Sequence, residues 1–303
     1  RVVCACCACA RLCVTLFCSL VLLDMHTHTH PHLRAHAYTD SYLDDGEPYL
    51  NTAYGFGANL WDGTAHWALY LIMIYGLASR NPALFRPVYL YWAGSIIFSL
   101  CILMPGAAVG CFSHIMDYSA FLNVPFILLP VYFLKRIFDT PRPLDPQARG
   151  SAWVDALFAA LFAMFIFILG VRFAAGNDSN LPVAVAWREA EPTLVEPSRF
   201  FTVTSTVQFY YGVPIMGVLV TCLLFGASRT QRGLCTDLAV FLAGGIAESQ
   251  FCYVLAAVHH LTADKFRVTC DHTQFWQLNI GLVLLTHALA VYLVRRKALA
   301  GVF

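Results

Sequence analysis

Charge is what this chain has little of: Asp, Glu, Lys and Arg make up only 12% of its 303 residues, where a soluble domain carries about 25%. With 59% hydrophobic residues and a mean hydropathy of +0.63, the shortage excludes a soluble globular fold and predicts an integral membrane protein. Net charge is only +1, so neither nucleic acid nor a generally acidic partner is indicated. Paired glycine-interrupted spans, which would point to a transporter's unwound substrate site, are also missing. Twelve cysteines are present, but half fall before residue 19 and most others lie in or beside apolar runs. They read as small buried hydrophobes rather than a disulfide framework, with Cys111 and Cys270 the one pair placed to bridge.

What is there is a series of apolar runs near the roughly 20 residues that cross a bilayer as helix. Seven lie at about 59 to 79, 86 to 110, 118 to 134, 152 to 172, 203 to 226, 236 to 258 and 274 to 294, with a weaker eighth at 12 to 23. The third is interrupted by Pro125 and Pro130, which spanning helices tolerate when neighbours satisfy the freed backbone groups. The expected fold is therefore all-α, a polytopic bundle of seven to eight helices. Alternate loops carry Arg80 and Arg86, then Lys135, Arg136, Arg142 and Arg149, then Arg229 and Arg232, and the tail carries Arg295, Arg296 and Lys297. By the positive-inside rule this side and the C-terminus face the cytosol. The 173 to 202 loop is then lumenal, and its sequon Asn177-Asp178-Ser179 is a glycosylation candidate.

The first 38 residues stand apart. Five histidines between His26 and His36, and the run RVVCACCACA, have the alternation that a translated dinucleotide repeat produces. The segment reads as low complexity or a gene-model artefact, with an extra helix or a cleaved signal as the alternatives, rather than as a metal tract. No cofactor and no resident metal is expected.

An internal match organises the remainder. Glu47-Pro48, Trp61-Asp62-Gly63 and Ala78-Ser79-Arg80 recur about 149 positions later as Glu196-Pro197, Tyr210-Tyr211-Gly212 and Ala227-Ser228-Arg229. Ala93-Gly94-Ser95-Ile96 recurs as Ala243-Gly244-Gly245-Ile246. An even number of crossings separates the copies, so they are parallel repeats, and their small residues read as close helix contacts.

With GEPYLNTAYG, WDGTAHWALYL, LYWAGSII and AGGIAESQF present in order, the chain resembles the transmembrane 6 superfamily, polytopic proteins with two tandem EXPERA domains. The resemblance covers roughly residues 39 to 297. It implies a first repeat at 39–142, a cytosolic linker at 143–150, a second repeat at 151–297 and a tail at 298–303. The first repeat lacks its first helix or takes 12 to 23 in its place. The resemblance further implies a role in lipid handling, in triglyceride-rich lipoprotein secretion and lipid-droplet content, at the endoplasmic reticulum or its export compartment, or at lysosomal membranes. The wider group includes a sterol isomerase and a sterol-binding receptor, but a shared fold does not transfer chemistry.

Double-bond migration in a sterol needs a proton donor and a proton acceptor on an apolar substrate, with an aromatic face for the intermediate cation. Asp62 occupies a position resembling one of the isomerase's carboxylates, with Trp61 beside it. His66 and Tyr70 follow at i+4 and i+8 on one helical stripe. The isomerase's His and Glu one turn apart have no counterpart upstream of Asp62. In the second repeat Asp155 stands alone and Tyr211 replaces the acid, while Glu248 is an intramembrane acid in the sixth span. No catalytic residue is assigned; an enzyme would draw on Asp62, Glu248 and Asp155. The expected ligand-binding set for a membrane lipid or sterol is Trp61, Asp62, His66, Tyr70, Asp155, Tyr211 and Glu248. The plainer alternatives stay open: Asp62 as a cap near its helix N-terminus, and Glu248 as a hydrogen-bonded packing residue. His259 and His260 read as solvated at a helix end. Tyr89, Tyr91 and Trp92 read as lipid-facing or belt aromatics.

Overall fold

The computed structural model describes residues 48–110, 113, 116–140, 142, 151–196, 198–225 and 229–299. The expectations for residues 12 to 23, the His26 to His36 tract, the 143–150 linker and Cys111 lie outside these residues. What is described is all helix: α1 (Ala53–Trp61), α2 (Trp67–Ala78), α3 (Pro82–Val109), α4 (Met116–Asp139) and α5 (Ala152–Gly176), then α6 (Pro182–Ala190), α7 (Phe200–Val207), α8 (Val213–Leu224), α9 (Arg229–Val258) and α10 (Thr273–Leu299). A π turn, Asp62–His66, joins α1 to α2, and a second, Gln208–Gly212, joins α7 to α8. Five of these helical stretches are long and apolar enough to cross a membrane: Pro82–Val109, Ala152–Gly176, Phe200–Leu224, Arg232–Val258 and Thr273–Arg295. The chain is an all-α polytopic membrane protein.

Local chemistry sets the helix starts. Thr52 caps α1, its hydroxyl accepting from the Gly55 amide at 3.0 Å, and Asn81 caps α3 ahead of Pro82 at the first helical position. Asp62 is therefore not an N-terminal cap, because the helix begins nine residues earlier and Thr52 already satisfies its first turn. α4 runs through both Pro125 and Pro130, and Tyr89 donates to the Pro130 carbonyl at 3.0 Å, tying α3 to α4.

α9 and α3 form the centre. Buried residues make up 78% and 67% of their apolar windows, against 28% for α5, so these two helices have no broad lipid face. That position overturns the belt reading of three aromatics on α3. Tyr89 is buried, the Tyr91 hydroxyl meets His287 Nε2 at 3.0 Å, and the Trp92 ring packs on Tyr70 and Tyr89. The α3–α9 crossing is closest at the repeated small residues. A Cβ on Gly94 would collide with the Phe241 carbonyl, and one on Gly244 with the Tyr91 carbonyl.

Where these helices end near residue 140, Arg86 of α3 pairs with Asp237 of α9 and donates to the Thr140 and Ile137 carbonyls at 2.8 and 3.0 Å. Arg142 meets the same Asp237 at 2.8 Å, and burial pushes its guanidinium pKa down. A single buried acid thus holds two arginines and gathers the ends of three helices.

Candidate functional site

Two polar nodes sit inside the bundle, and α9 supplies consecutive residues to them. The first gathers around Ser95 of α3. Trp61 Nε1 donates to Ser95 Oγ at 2.9 Å, His66 Nε2 lies 2.9 Å from the same oxygen, and Ser95 donates to Glu248 Oε2 in a very short contact. Glu248 Oε2 is also 3.3 Å from His66 Nε2, while on the other side of the ring His66 Nδ1 faces Asp62 Oδ1 at 2.6 Å. The imidazole is thus held between two carboxylates. The hydroxyl proton goes to Glu248, so Nε2 must donate to Ser95. His66, Ser95 and Glu248 are buried, whereas the Asp62 side chain is 40% exposed and opens the node on one side. Tyr70 touches the far face of His66, with ring centroids 6.3 Å apart.

The structure therefore brings together Trp61, Asp62, His66, Glu248 and, at its edge, Tyr70. It does not bring in Asp155, which accepts from the Tyr292 hydroxyl at 3.0 Å between α5 and α10. Nor does it bring in Tyr211, which is 49% exposed and packs edge-on against Phe98. The π turns explain the second case. They open at Asp62 and at Gln208, so the residue in Asp62's structural place is Gln208, three positions before Tyr211. Tandem matching by sequence alone slips there because fewer residues separate the second Glu-Pro from its helix.

Gln208 belongs to the second node. Arg172, buried on α5, donates to Glu191 at 2.6 Å, to Asn279 of α10 at 3.0 Å and to Gln208 at 3.3 Å, and lies 4.1 Å over the Tyr253 ring. Tyr253 and Trp187 both donate to Glu191 at 2.7 Å, which fills its two oxygens. Gln208 Nε2 donates to Ser249 of α9 at 3.2 Å. Sequence reading missed this node. Arg172 closes an apolar run and looked like its boundary, and Glu191 sits in what read as a loop but is held by α6 and a 3-10 turn, Pro192–Val195.

Beneath the second node a recess opens between α5 and α10. Arg172, Glu191 and Asn279 cap it, and Phe165, Leu278 and Leu282 are among its walls. Its volume is about 10 Å³, room for one water, so the walls must part to admit anything larger. Outside the membrane-spanning stretches, Asn177 is exposed just past α5 and donates to the Phe173 carbonyl. Burial, with His260 and Arg267 nearby, lowers the pKa of His259.

A family model described as "Transmembrane 6 superfamily member 2-like, transmembrane domain" matches residues 8–148. Transmembrane 6 superfamily member 2 of Homo sapiens is 28% identical over 267 residues, covering 84% of this chain and 69% of that protein. Its namesake in Mus musculus is 30% identical over 280 residues, covering 86% and 71%, and that of Rattus norvegicus 29% over 278, covering 86% and 70%. No solved structure matches.

Proposed function

Since the chain belongs to the transmembrane 6 superfamily, we propose that it handles lipid within an internal membrane, binding a lipid or sterol between its helices and regulating lipid export and storage. The recess between α5 and α10 carries this reading. A lipid is apolar along most of its length and polar at one end, and the recess combines both, with aliphatic and aromatic walls beside the polar group of Arg172, Glu191 and Asn279. Triglyceride-rich lipoprotein secretion and lipid-droplet content are the processes proposed. The endoplasmic reticulum or its export compartment is the proposed site, with the lysosomal membrane as alternative. Two tandem EXPERA modules and a cytosolic C-terminus complete the proposal.

Saturable labelling of purified protein by a photoreactive sterol or phospholipid, mapped to peptides of α5 or α10, is the expected outcome. Leu278→Trp, which overfills the recess, should cut that labelling at least about fivefold at a stability cost of about 1–3 kcal/mol, with the variant still folded in detergent. Labelling that is unsaturable, or indifferent to Leu278→Trp, sinks the assignment. The proposed topology is tested separately at Asn177: a glycosidase-sensitive shift abolished by Asn177→Gln is expected, and an unglycosylated chain counts against a lumenal position.

The first node favours a second reading, a sterol double-bond isomerase-like activity, because two acids and an imidazole converge there beside Trp61. Expression in cells lacking their own isomerase tests it. Restored double-bond migration that Asp62→Asn abolishes would establish the enzyme; no restoration would leave the node without that chemistry.

A further inference from the structure

We propose that His66 and Glu248, with Ser95, hold a divalent transition-metal cation, and that Asp62 positions the imidazole for it. The proposal is independent of lipid binding at the α5–α10 recess and departs from the sequence expectation of no resident metal.

Charge is the first argument. Asp62 and Glu248 lie within a bundle that crosses a membrane, and among the described residues neither forms an ion pair with a lysine or arginine; their ion-pair partner is His66. One imidazolium between two carboxylates leaves a net negative charge in a low-dielectric interior, which is costly. A divalent cation on a neutral imidazole balances both acids.

Geometry is the second. His66 Nε2, Glu248 Oε2 and Ser95 Oγ form a triangle, with Nε2 2.9 Å from Oγ and 3.3 Å from Oε2. Metal–ligand bonds of about 2.0–2.2 Å place tetrahedral ligands about 3.4 Å apart, so His66 Nε2 and Glu248 Oε2 already stand at that spacing, while Ser95 Oγ, in a very short contact with Oε2, must draw back by about an ångström to complete the set. Donor atoms of Asp62, His66 and Glu248 all lie within 4.8 Å of one another.

The third observation is an unfilled donor. Glu248 is fully buried, yet its Oε1 has no hydrogen-bond partner. Bidentate binding by Glu248 gives that oxygen a partner, where the protein alone provides none. Asp62 Oδ1, 2.6 Å from Nδ1, then stands where carboxylates behind metal-bound histidines stand. From there it fixes the tautomer that presents a bare Nε2 to the metal.

Full-length protein in detergent, loaded with Zn²⁺ and freed of excess, is compared by elemental analysis with its Glu248→Gln and His66→Ala variants. Any zinc taken up by the N-terminal histidines and cysteines is common to all three, so the difference is the readout. One more equivalent in the wild type than in either variant is expected, and Asp62→Asn should weaken that equivalent about 10–100-fold without abolishing it. Equal uptake by wild type and folded variants overturns the site. If the variants do not fold, Co²⁺-loaded Asp62→Asn and wild-type proteins decide. Visible spectra that differ between them support a cation behind His66, and identical spectra overturn it.

Discussion

Ser95 is a small residue with large obligations: one hydroxyl meets an indole, an imidazole and a carboxylate. Ser95→Ala removes all three contacts and strands buried donors, so a loss of about 1–3 kcal/mol is expected, read as a fall in the midpoint of thermal unfolding in detergent. Substitution of the neighbouring Ser99, buried without a comparable set of partners among the described residues, should move the midpoint less. Arg172 is the harsher case. Glu191→Gln leaves a guanidinium buried among neutral groups, and about 3–5 kcal/mol is expected to be lost, with Arg172→Met partly restoring stability in the double variant. The stripe of Asp62, His66 and Tyr70 was readable from its four-residue spacing, and Glu248 from its place in an apolar span. Ser95 was not, because a serine among glycine and alanine reads as a packing residue and only the fold shows what faces it. Arg172 and Glu191 were unreadable as partners, since nothing local in sequence relates an arginine at a helix end to an acid beyond a short helix.

Among the elements, the π turns and the α3–α9 crossing set the geometry. In each π turn the helix is rewound so that an amide bonds five residues back, Trp67 to Asp62 and Val213 to Gln208, and each turn opens on a polar residue that enters a node. Such turns recur at functional sites. They left no trace in the hydrophobic pattern, which stays apolar through both, and so the register between the two halves was misplaced by three residues. The crossing, by contrast, was legible, as the repeated Ala-Gly motifs marked where backbones meet. Gly94→Val should be poorly tolerated, because its side chain would enter the Phe241 backbone rather than a mobile side chain. Expected is a loss of about 1–3 kcal/mol or more and broadened size-exclusion profiles. Gly217→Ala, with nothing within 4 Å of the added carbon, serves as the neutral comparison.

For the whole molecule, α9 is the pillar and α3 its main neighbour, while α8 and α10 pack on α9 and α5 packs on α8, with much of α5, α8 and α10 left unburied by protein. Backbone amides of α9 and α3 should therefore show the slowest hydrogen exchange in detergent or nanodiscs, and those of α4 should exchange sooner. Faster exchange in α9 than in α4 would contradict this arrangement. All seven sequence-based spans fall on helices, because hydropathy reports burial in lipid or protein alike; it cannot report which helix is central, and so the inward aromatics of α3 were read as a belt.

Glu248 serves one node and its chain neighbour Ser249 the other. Successive side chains on a helix diverge by about 100°, so the pillar cannot be turned to improve one node without unseating the other. A single inserted residue between Asp237 and Glu248, harmless in a helix that touches only lipid, would misalign both nodes at once while the Arg86 anchor stayed put. The two halves of this chain are thus locked to one phase of one helix, and they must change together or not at all.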